Sequence, residues 1–81
     1  MKSYEGNFKN EKFGAFNFKI EGSHLLMDGS GIHTNLYPQG DSTFFLKERD
    51  LQFEFVRDEK GKVNKIIIHE NGQMADELLR Y

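Results

Sequence analysis

An all-β fold, a sandwich or barrel of about eight short strands in one domain, is what this sequence predicts, and three observations carry the prediction. Turn signals recur at short and fairly regular intervals, at Glu21-Gly22-Ser23, Asp28-Gly29-Ser30-Gly31, Pro38-Gln39-Gly40-Asp41, Asp58 to Gly61 and Asn71-Gly72. The segments between them are too short for ordinary helices and rich in aromatic or β-branched residues. Several of those segments alternate apolar and polar residues with a period of two, which places the apolar set on one face of a strand.

Taken in chain order, the pattern predicts strands over residues 4–9, 13–21, 24–27, 33–37, 43–47, 51–57, 63–70 and 74–80. In the second, Phe16, Phe18 and Ile20 share a face opposite Asn17 and Lys19. In the sixth, Leu51, Phe53 and Phe55 alternate with Gln52 and Glu54, so these six apolar residues are expected in the core. Asp58-Glu59-Lys60-Gly61 then reverses the chain, because Asp suits the first position of a type I turn and Gly supplies the left-handed residue that starts the return strand. Ile66, Ile67 and Ile68 are consecutive, so both faces of the seventh strand are apolar and its outer face should be covered. Leu25-Leu26 and Phe44-Phe45 raise the same expectation, and Leu25, Leu26, Ile66 and Ile68 become candidates for an interface. Residues 74–80 also tolerate a helix, but seven residues are marginal for one, and Asn71-Gly72 favours a returning strand.

Eighty-one residues make a single domain, 1–81, that buries only about 60% of the surface its unfolded chain exposes. With no cysteine there is neither a disulfide nor a thiolate metal site, so eight phenylalanines and three tyrosines must supply the core. Eleven basic and thirteen acidic residues are interspersed, which argues against a nucleic-acid footprint. No apolar run approaches the roughly 20 residues of a membrane span, and the opening MKSYEG lacks a signal peptide's hydrophobic segment, so a soluble chain is expected. Compartment stays open.

His24, His33 and His69 would make a metal site only by converging, and none has the close spacing of a known motif, so isolated histidines are the expectation and no cofactor is expected. Asp28-Gly29-Ser30-Gly31 begins like a calcium loop, yet Gln39 stands where a bidentate Glu is required and His33 where Gly is required, which leaves a turn. Neither Ser-x-x-Lys nor Gly-x-Ser-x-Gly is present, and no spacing pairs two carboxylates as acid and base. A nonenzymatic chain is expected.

Leu36-Tyr37-Pro38, Thr43-Phe44-Phe45, Phe53 to Asp58 with Gly61-Lys62-Val63, and His69-Glu70-Asn71-Gly72 form an ordered series that resembles the C-terminal accessory β domain (DUF3471-type) of β-lactamase-related, penicillin-binding-protein-like serine hydrolases. Tyr4-Glu5-Gly6-Asn7-Phe8 is similar to that domain's opening Tyr-x-Gly-x-Tyr/Phe signature, so the likeness runs along essentially the whole chain. The resemblance implies an antiparallel meander forming a lipocalin-like barrel or strongly curved sheet, beside a catalytic domain carrying Ser-x-x-Lys. No catalytic residue carries over.

Two functional expectations stand beside each other. The first is a noncatalytic accessory or interaction domain that packs on a serine-hydrolase catalytic domain or on a second copy of itself. The alternative is a small-ligand-binding barrel with a pocket lined by some of Phe16, Phe18, Phe53 and Phe55.

Overall fold

Turn chemistry sets the strand order. A computed structural model describes residues 4–40, 42–46 and 50–81, which form eight strands: β1 (Gly6–Asn10), β2 (Gly14–Glu21), β3 (His24–Gly29), β4 (Ile32–Pro38), β5 (Thr43–Leu46), β6 (Leu51–Arg57), β7 (Val63–Glu70) and β8 (Gln73–Arg80). Each strand pairs antiparallel with the next and β8 pairs back with β1, so the meander closes into a barrel. Of the predicted segments, Lys47 in the fifth strand and Asp41 in the third turn lie outside the described residues.

The β6–β7 turn has the expected chemistry. The Asp58 carboxylate accepts the backbone N–H groups of Lys60 and Lys62, both at 2.9 Å, and Gly61 takes a φ of 82°. Asn71 and Gly72 adopt φ of 54° and 81°, the two positive values of a type I′ hairpin. That hairpin returns the chain as β8, which settles residues 74–80 as strand rather than helix.

Alternation then sorts the side chains. Phe8, Phe16, Phe18, Leu25, Met27, Leu36, Phe44, Phe53, Phe55, Val63, Ile66, Ile68 and Leu78 are buried inside the barrel, with Ile20, Leu46 and Leu51 packed against them. A strict period of two would not put both Val63 and Ile66 inside. It is reset by a bulge: Lys65 pairs with Val56 and Val63 with Arg57, so the exposed Asn64 is the extra residue on β7.

The two ends of the barrel differ. One end is closed by Tyr4, whose ring meets Phe44 and Phe55 edge-on at 5.3 and 5.1 Å, with the Arg57 guanidinium over the ring, 5.2 Å from its centroid. This corrects the expected first strand, since Tyr4 acts as a plug before β1 begins at Gly6. The segment is held by the Glu5 carboxylate, which accepts the Ile20 N–H at 2.9 Å, and by Arg80, which donates to the carbonyls of Glu5 and Val63.

Two seams are thin. β4 and β5 share only the pairs Tyr37 with Phe45 and Pro38 with Phe44, and β1 and β8 only Phe8 with Arg80 and Lys9 with Leu79. Both sets sit toward the plugged end. Beyond them no further pairing joins these strands among the described residues.

Candidate functional site

The end opposite Tyr4 carries the β1–β2, β3–β4 and β7–β8 connections, and an apolar cup of about 270 Å³ opens there. Phe16, Met27, Phe53 and Ile68 form its walls, Leu51 and Ala75 its sides, and Phe13 and Ile32 its rim. Phe13 precedes β2 and Ile32 opens β4, so short hairpins hold both against the mouth. Each is substantially exposed, 39% and 45%, although neighbouring inward positions are covered. Below the cup the interior is solid, because Phe8, Phe18, Phe44 and Phe55 interlock edge-on with ring centroids 5.4–6.1 Å apart. Phe16 and Phe53 thus belong to the pocket expected from the sequence, while Phe18 and Phe55 fill the barrel.

Among the described residues one ionisable side chain lines the cup, that of the exposed Glu70. Glu70 continues the inward series Ile66, Ile68 on β7 and lies directly across from inward-facing Leu51. Its carboxylate has no hydrogen-bond or ion-pair partner among the described residues. Asp50 adjoins Leu51 on the same side, and its carbonyl accepts the Asn71 N–H at 3.1 Å. Across the mouth, the Lys12 ammonium sits 5.3 Å from the Phe13 ring centroid.

No family model matches this chain, and no curated protein or solved structure does. Its chemistry must therefore be judged from its own geometry.

The four interface candidates separate. Leu25, Ile66 and Ile68 point into the barrel, so they are unavailable to a partner while it stays closed. Their apolar chain neighbours face outward: Leu26 is flanked across the sheet by Lys19 and Asn35, and Ile67 by Glu54 and Glu77. Both are half-buried among polar neighbours rather than gathered into one patch. Outward Phe45 instead leans on Tyr37, which leans on His24, at 6.1 and 5.7 Å.

The histidines do not converge. His69 Nε2 meets Glu54 Oε1 at 3.0 Å across β6 and β7, His33 Nδ1 lies 3.5 Å from Asp28 Oδ1 on the β3–β4 hairpin, and His24 lies beside Glu21 on the β2–β3 hairpin. Among the described residues no group of three or more His, Cys, Asp or Glu side chains could hold a metal ion. No helix among them is long and apolar enough to cross a membrane. Wider hollows of about 400 and 550 Å³ run along the β1–β8 seam, but they are lined mainly by Lys9, Asn10, Glu11 and other polar groups. The cup differs in being lined mainly by apolar residues rather than by the carbon stems of charged ones.

Proposed function

We propose that this chain is a noncatalytic binding module whose cup takes a small apolar ligand. The observation that carries this reading is the contrast within one interior: solid aromatic packing at the plugged end, and a solvent-open apolar recess at the other. A recess near 270 Å³ falls just below the roughly 300–1,000 Å³ of drug-sized sites, so its occupant has on the order of six to ten heavy atoms. Burying a short alkyl chain there contributes about 0.8 kcal/mol per methylene, before the cost of immobilising the ligand. The likeness to the accessory domain of β-lactamase-related serine hydrolases supports a role beside a catalytic domain.

Amide and methyl NMR during titration with 1-octanol tests the site. Saturable shifts should gather at Met27, Ile32, Ile68 and Ala75, and Met27→Phe, which fills the recess, should abolish them. Shifts confined to the outer face, or none at millimolar octanol, would overturn the reading.

A second reading, an interaction domain that packs on a catalytic domain or self-associates, is favoured by exposed Leu79 and Tyr81, which face outward beside Lys9 at the β1–β8 seam. Standard interfaces bury about 800 Å² per partner, which is a modest part of a 5200 Å² surface. Sedimentation of the wild type and Leu79→Asp distinguishes the self-associating form: a wild-type monomer at millimolar concentration eliminates it.

A further inference from the structure

Resting on the self-association reading, we infer that the outer face of β7 and β8 packs on the same face of a second copy of this chain, about a twofold axis that crosses the strands. Among the described residues the exposed large apolar side chains fall into two groups. Phe13 and Ile32 belong to the rim of the cup, whereas Met74, Leu79 and Tyr81 lie on β8 or directly after it.

Strand pairing sorts the charges around Leu79 into two outward rows. Lys9, Leu79, Lys65 and Val56 stand side by side across β1, β8, β7 and β6. Two residues along the strands, Glu77, Ile67 and Glu54 form the next row across β8, β7 and β6. One row is therefore basic and the other acidic, about 6.6 Å apart, with apolar residues within each. A twofold axis lying between the rows and parallel to them exchanges the two. It seats each basic row on the acidic row of the other copy, so that Lys65 meets the second copy's Glu54 and Glu77 while Leu79 packs beside its Ile67. An axis along the strands would instead set basic row on basic row and acidic on acidic, which repulsion disfavours. Within one copy Lys65 lies 3.7 Å from Glu77, and Glu54 3.0 Å from His69, yet Lys65, Glu77 and Glu54 all remain substantially exposed and can take a second partner. The face spans three strand spacings, about 14 Å, by about 26 Å of strand, which is small for a specific interface, so micromolar rather than nanomolar association is expected.

Sedimentation velocity up to millimolar concentration, with charge-reversed variants, tests the inference. The wild type should self-associate, and Lys65→Glu and Glu77→Lys should each weaken the dimer by about tenfold or more, because each reverses two symmetry-related contacts. An equimolar mixture of the two variants should recover most of the wild-type affinity, since the reversed charges then match between copies although neither copy matches within itself. A wild-type monomer at millimolar concentration would end the self-association reading and this inference together. A wild-type dimer that tolerates both substitutions, or a mixture that stays monomeric, would overturn the inference and leave self-association to another face.

Discussion

Truncating Phe55 should cost this domain a large part of its stability, and truncating Phe53 much less. Phe55 is 1% exposed and touches four other rings edge-on, those of Tyr4, Phe8, Phe18 and Phe44, at 5.1, 6.1, 5.6 and 5.4 Å. Phe55→Ala leaves a cavity enclosed by those rings, which have no room to collapse, so a loss of about 4 kcal/mol is expected. A domain of 81 residues has on the order of 4–12 kcal/mol to lose. Phe55→Leu keeps most of the volume but forfeits the edge-to-face geometry, for about 1.5–2 kcal/mol. Phe53, two residues earlier on the same face, borders the cup, and its removal enlarges a space that water already reaches. About 2 kcal/mol is expected there, because no sealed void is created. Urea denaturation followed by circular dichroism measures all three, provided the m-value is unchanged. Should Phe53→Ala lose as much as Phe55→Ala, the division of the interior into a solid half and an open half is wrong.

Two backbone positions give further tests. Gly29 has a φ of 147°, and a Cβ there would strike the Ala15 carbonyl and lie 2.9 Å from Phe16 Cα, whereas Gly22, at φ 63°, faces open space. Gly29→Ala should therefore lose about 2–4 kcal/mol and Gly22→Ala about 1, both read by equilibrium denaturation; equal losses would refute the close approach of β3 to β2. Asp58→Ala removes the acceptor of two backbone N–H groups and should cost about 1–2 kcal/mol, while Asp58→Asn keeps an acceptor and should cost less than half of that in the same thermal-unfolding series.

Much of this fold was legible because strands and hairpins are local. The Asp58 and Asn71-Gly72 turns, the alternation of Phe16, Phe18 and Ile20, and the returning last strand all follow from neighbours in sequence. What was illegible lies along the barrel axis. Periodicity assigns Phe16 and Phe18 to the same face, but whether a ring packs or lines a recess depends on its height, which follows from closure and from the thin β4–β5 and β1–β8 seams. Consecutive isoleucines suggested a covered outer face on β7; in the structure Ile66 and Ile68 are interior and Ile67 is screened only by polar neighbours. The bulge at Asn64, which fixes that phase at the start of β7, has no turn residue to announce it. Glu70 gave no signal of bordering the cup, because a carboxylate beside an Asn-Gly turn reads simply as solvated, and it is indeed exposed.

The plugged end has a practical consequence. The last described residue, Tyr81, donates its backbone N–H to the Asn7 carbonyl at 3.1 Å, so it lies beside the start of β1, toward the end that Tyr4 plugs. A tether attached at Tyr81, whether a fusion partner, a sensor surface or a resin, is therefore held at the end away from the cup. Immobilised barrels would all present the same open face to solution, in a common orientation, without any engineered attachment point.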